Sequence, residues 1–141
     1  MGKKRKYTPP TFETMHPEGR HVYMAIYDTL YTSPAWKELT DKQVRLYLFC
    51  RWQYWAKREN RPGADYPDYE PYQAPEVFYL NWAKVQSAGL YRSNKKRFYD
   101  DVRALCKRGL IESLYNGRGG RDKSVFRLSD LRQKYKAESE T

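Results

Sequence analysis

Cysteine and histidine are scarce. The chain of 141 residues holds two of each: Cys50, Cys106, His16 and His21. No C-x-x-C pair occurs and neither histidine has ligand-like companions, so no metal site is expected. Both cysteines fall inside apolar helical patterns and read as buried free thiols, which fits a reducing cytosol. Long apolar runs are missing too. No window approaches the roughly 18 uncharged apolar residues of a membrane-spanning helix. The basic residues at the start are not followed by an apolar run, so no signal peptide is expected. Met1-Gly2 opens like a myristoylation site, but Lys6 stands where Ser or Thr is required. Neither a Ser-His-Asp nor a Cys-His set is visible, and the expectation is a non-enzymatic protein without a cofactor.

Acidic residues are short in one region, and this absence is the most informative. The net charge is +10, from 27 Lys+Arg against 17 Asp+Glu. Residues 1–8 carry +4, residues 9–78 carry −2, and residues 79–136 carry +10, from fifteen basic and five acidic side chains. Cationic charge segregated by segment is the footprint of a polyanion partner. A hydrophobic share of 40% and an aromatic share of 16%, with 14 Tyr and 4 Trp, belong to a folded chain. The length favours a single domain.

Residues 1–11, beginning "MGKKRKYTPP", read as a basic arm in which the two prolines prevent helix. It either trails into a minor groove or is a solubilising tail. Residues 12–136 are assigned to one domain and 137–141 to a tail. Tyr23, Ile26, Tyr27 and Leu30 recur at helical spacing, although "HVYMAIY" also suits a short strand; helix is expected. Ser33-Pro34 starts a short helical turn, with proline at the first helical position. Thr40-Asp-Lys-Gln43 is a T-x-x-Q capping box that opens a long helix to about Arg58. On that helix Val44, Tyr47, Leu48, Arg51, Trp52 and Trp55 fall near one face, widened by Leu46, Phe49 and Cys50. The insertion at 59–77 then changes character. "ENRPGADYPDYEPYQAPE" holds four prolines, three tyrosines and five acids against one arginine, and reads as a loop that either lies on the domain or is mobile. After the short apolar run Phe78-Tyr-Leu80, Asn81 caps a helix of about two turns that Gly89 ends. Ser93 is expected to cap the next helix, 94–108, whose core stripe is Phe98, Val102 and Leu105. Trp36, Trp52, Trp55 and Trp82 are expected in the core rather than stacked on single-stranded bases.

Beyond Gly109 the period changes to two, and Leu110 to Tyr115 and Val125 onward read as two strands around the tip "NGRGGRDKS". A phosphate-cradling loop would need G-x-x-x-x-G-K-[ST] between a strand and a helix. Gly117 to Ser124 supplies the first Gly and the final Lys-Ser. Asp122 occupies the place of the second Gly, and a strand-like segment follows. The hairpin reading uses all of these residues and projects Arg118, Arg121 and Lys123 from its tip.

Two helices joined by a short turn and followed by a hairpin form a helix-turn-helix with a wing. "SPAWKELTDKQVRLYL", joined to "SNKKRFYDDVRALCKRGLIE" and the Gly/Arg hairpin, resembles winged-helix proteins of plasmids, phages and integrative conjugative elements. That group includes replication initiators, transcriptional regulators and transfer-complex accessory proteins. The R-x-L-x-x-x-G-L-I ending, Arg103 to Ile111, is common to many winged helices, and the acidic insertion is a departure from the pattern. The resemblance covers roughly 33–136. It implies a mainly α fold with a small β-hairpin wing (α+β), duplex DNA as the partner, and a bacterial cytoplasmic location at the nucleoid or a plasmid. A homodimer or a protein partner in a replication or transfer complex is compatible with it.

A recognition helix enters the major groove with its N-terminal residues toward the bases. The candidates for base or near-base contact are therefore Ser93, Asn94, Lys95, Lys96, Arg97 and Tyr99. Asn reads adenine and Arg or Lys reads guanine. Arg103 and Lys107 are expected on phosphates, as are Lys84, Gln86 and Arg92 from the preceding helix and turn. Asp100 either accepts from cytosine or pairs with Lys96; the pair is preferred. The wing, 116–124, would hold the backbone or minor groove through Arg118, Arg121 and Lys123. Two rival functions remain: a protein-binding adaptor that uses the acidic loop, and a single-stranded nucleic-acid binder.

Overall fold

The structure is a computed structural model that describes residues 25–117 and 123–130. The arm at 1–11, Tyr23, the tip residues Arg118 and Arg121, and the segment after Asp130 lie outside the described residues. Helices precede and alternate with the strands of a three-stranded antiparallel sheet, an α+β arrangement. The elements are α1 (Asp28–Tyr31), α2 (Pro34–Lys37), α3 (Asp41–Arg58), β1 (Val77–Tyr79), α4 (Trp82–Ser87), α5 (Lys95–Lys107), β2 (Ile111–Tyr115) and β3 (Val125–Leu128).

Most helix starts follow from their capping side chains. Ser33 accepts from the Trp36 N–H ahead of Pro34 at the first turn of α2. Thr40 and Gln43 complete the capping box of α3 in both directions. Asn81 accepts from the Lys84 N–H at the start of α4. Gly89 and Gly109 end α4 and α5 at φ of +80° and +72°, a left-handed conformation that a side chain would strain.

Four expectations are corrected here. Of the helix expected around Tyr23–Leu30, the described residues 25–27 are not helical and α1 begins at Asp28, because Tyr27 is extended at φ −75° and ψ 146°. The buried face of α3 is Leu46, Tyr47, Cys50, Gln53 and Ala56, whereas Val44, Leu48, Arg51, Trp52 and Trp55 are half-buried. The helix's own rings, Tyr47, Phe49, Trp52, Tyr54 and Trp55, are spread round its circumference, while the small Cys50 and Ala56 are fully buried. None of the four tryptophans is fully buried; Trp36 and Trp82 pack against the core cluster. The two-stranded hairpin gains a third strand. β1 pairs antiparallel with β3, in the order β1-β3-β2, with Phe78 opposite Phe126.

The core lies between the helices and the sheet. Leu46 and Cys50 of α3, Val85 of α4, and Phe98, Val102 and Leu105 of α5 meet Phe78, Leu110, Ile111 and Phe126. The acidic loop lies on this body. Asp65 N–H donates to the buried Gln53 Oε1 at 2.8 Å, Lys57 donates to the Ala74 carbonyl at 2.9 Å, and Pro67 is buried. Lys57 Nζ also stands 4.6 Å from the centroid of the Tyr66 ring. Among the described residues no helix is long and apolar enough to cross a membrane.

Candidate nucleic-acid interface

The cationic surface centres on the start of α5. Its cap is Asn94, whose Oδ1 accepts from the Arg97 N–H at 3.0 Å. This corrects Ser93 as the cap by one position: Ser93 is exposed in the turn, and the longer Asn side chain makes the bond. With its carbonyl oxygen engaged as a cap, Asn94 is left with its amide group to offer rather than the full edge that reads adenine.

The first turn is Lys95-Lys96-Arg97, all exposed, with no acid among them. A helix N-terminus already carries partial positive charge, so three cations there oppose the macrodipole, and an anion stabilises what the sequence leaves repulsive. The side chains of Arg92, Lys95 and Lys96 make no hydrogen bond or ion pair among the described residues. Tyr99, 44% exposed, flanks the same face. Arg103 and Lys107 continue it as exposed residues one and two turns on.

Asp100 pairs with Arg103, not with Lys96, so the expected partner is corrected. The i,i+3 spacing toward the C-terminal end places the cation where the helix dipole favours it. Lys84 and Gln86 are each engaged with a neighbouring backbone carbonyl. Lys84 Nζ donates to the Gly63 carbonyl at 2.8 Å, and Gln86 Nε2 to the Arg92 carbonyl at 2.9 Å. Both hold loops. Lys123, expected to project from the hairpin tip, folds back instead. Its ammonium bonds both Asp65 oxygens at 3.1 Å and stands 5.0 Å from the centroid of the Tyr79 ring. Asp65 is there to meet it because the acidic loop is anchored on α3. The hairpin closes where the Gly117 N–H donates to Ser124 Oγ at 3.1 Å, and β3 follows. A strand, not a helix N-terminus, therefore comes after the Lys-Ser pair.

The reading of sequence missed a set of residues beneath this surface. Asp101 is only 2% exposed. Its Oδ1 accepts from Gln43 Nε2 at 3.1 Å and its Oδ2 from the Tyr91 hydroxyl at 2.6 Å. Arg97 Nε lies 3.5 Å from the same Oδ2. Gln43 also accepts the Thr40 N–H, so one amide serves both the capping box of α3 and the carboxylate on α5. Lys42 Nζ donates to the Leu90 carbonyl at 2.8 Å, which ties the turn between α4 and α5 to the same end of α3. Burial first, then the Asp101 carboxylate, push the Tyr91 phenol well above its ordinary pKa. Periodicity carried the missing signal: Asp101 stands at i+3 from Phe98 and next to Val102, inside the core stripe.

Between α5 and the sheet runs a groove of about 580 Å³, with Phe98, Val102, Cys106 and Phe126 along it. Cys106 is half-buried and Cys50 fully buried; burial raises both thiol pKa values, so neither is an activated nucleophile. Among the described residues no group of three His, Cys, Asp or Glu side chains is placed to hold a metal ion. Comparison with protein-family models, with curated proteins and with solved structures gives no match to this chain.

Proposed function

We propose that the chain is a winged-helix, sequence-specific binder of double-stranded DNA that acts in replication, transfer or transcription control of a mobile element. The observation that carries this reading is the exposed Lys95-Lys96-Arg97 turn at the start of α5. It is a cationic helix end held clear of the core by the Phe98–Val102–Leu105 stripe beneath it. The order α4, turn, α5, hairpin, and the sheet order β1-β3-β2, support this reading, because a helix-turn-helix with a wing has its elements in that sequence. In this arrangement α5 lies in the major groove and the hairpin grips the adjacent backbone or minor groove.

Selection from a random duplex library at physiological salt tests the reading. An enriched motif is expected, and Lys107→Ala should weaken every duplex about equally while lowering the salt slope by about one. Uniform recovery of all sequences would sink it and leave only electrostatic attachment.

A protein-binding adaptor is the second reading, favoured by Tyr69, which stands 52% exposed between the exposed acids Asp68 and Glu70. Because the loop is anchored through Asp65 and Pro67, point substitution at Tyr69, and not deletion of the loop, is the clean probe. Loss of a protein partner with duplex binding intact would favour the adaptor.

A further inference from the structure

A carboxylate at a core position of a helix is expensive, and an apolar side chain of similar volume commonly serves stability as well or better. Asp101 nevertheless occupies such a position on α5, and three groups converge on it from three parts of the chain. Gln43 comes from the first turn of α3, Tyr91 from the turn before α5, and Arg97 from one turn back on α5 itself. Two of these three groups, Gln43 and Tyr91, donate hydrogen bonds to Asp101 and are fixed in their surroundings. Arg97 is the one that reaches solvent, its side chain 48% exposed.

A guanidinium is a rigid planar fork. Nε faces Asp101, so the far edge, with its terminal amino groups, is turned away from the carboxylate. We propose that Asp101 is the positioning residue that fixes the Arg97 fork to read the O6 and N7 acceptors of one guanine in the major groove. This rests on α5 being the helix that enters the groove. Guanine is favoured over a phosphate for two reasons. A preset plane matches two in-plane acceptors, whereas a phosphate is reached by any flexible cation. The negative charge of Asp101 also offsets the pull of Arg97 on phosphates. Asp101 thus trades general attraction for orientation.

The experiment uses the full chain, with duplex selection followed by binding to the chosen site and to versions changed at one base pair. Wild type should prefer guanine at one position by roughly 5- to 150-fold. Arg97→Lys keeps the charge but not the fork, and should lose that preference while holding unrelated duplexes as before. Asp101→Asn should lose the preference at the same base pair and bind unrelated duplexes as well as wild type or better, because a negative charge is gone. Retained preference in either variant overturns the proposal. So does an equal loss on every duplex with preference intact in Asp101→Asn, which marks a purely structural role. Should Asp101→Asn not fold, ¹⁵N NMR of the wild type decides: the Arg97 Nε–H should exchange more slowly than those of other exposed arginines, and equal exchange overturns the proposal. A wild type that enriches no motif overturns the groove reading itself.

Discussion

Tyr91 shows how one side chain couples the surface to the core. Its hydroxyl donates to Asp101 at 2.6 Å, and the Lys42 ammonium stands 5.3 Å from its ring centroid. Burial, then the adjacent carboxylate, hold the phenol well above the ordinary tyrosine value of about 10. The consequence for stability has a definite sign. Below pH 10 the phenol is neutral in both folded and unfolded chains. As pH rises further the unfolded chain releases this proton and the folded chain keeps it, so stability falls, by up to about 1.4 kcal/mol per pH unit from this group. Tyr91→Phe removes that slope. Urea unfolding of both proteins between pH 9 and 11.5 measures it, and parallel curves would mean that Tyr91 ionises as an exposed tyrosine does. Tyr79, pushed up to about 12, first by burial and then by its hydrogen bond with Tyr69, stays in both proteins and cancels in the comparison.

At the scale of elements, the loop and the hairpin are held by contacts of unequal worth. Gln53 is 1% exposed and accepts the Asp65 N–H, while the Asp65 carboxylate meets Lys123 near the surface. Gln53→Ala leaves a sheltered N–H without its partner and should cost about 1–3 kcal/mol. Asp65→Ala removes an ion pair whose Lys123 side chain is 54% exposed, and should cost under about 1 kcal/mol. Thermal or urea unfolding of the two variants checks the order, and the reverse order would mean that the loop is held by its charges. The helix starts were legible because capping is local chemistry: Ser33, Thr40 and Asn81 were read from the sequence, and Asn94 was missed by one position because Ser and Asn cap almost equally well. β1 was not legible. Three residues give no alternation, and Val77–Tyr79 becomes a strand only because β3 is beside it. The face of α3 was obscured by aromatic rings on every side. For the candidate site, the cationic turn was readable from charge and period. Asp101 was given no role from the sequence, because the side chains it meets come from other elements, and the fates of Lys84 and Lys123 depend on partners 21 and 58 residues away.

For the molecule as a whole, the cationic segment is mounted on a core that closes around Cys50, which is 0% exposed, while Cys106 sits half-buried beside the groove. A thiol reagent should therefore modify Cys106 first, and Cys50 only at a rate set by global opening. Labelling followed by mass spectrometry across a urea series separates the two, and equal rates in water would show a core that opens locally at α3. The bonds that fix α5 also bear on portability. Lys42 and Gln43 reach 48 and 58 residues along the chain to hold the Leu90 carbonyl and Asp101. A segment beginning at α4 and grafted onto another scaffold would bring every cation of α5 and the hairpin, but not the amide that steadies Asp101. Its letters would transfer and its orientation would not. A chimera that exchanges binding preference must therefore carry the first turn of α3 along with α5.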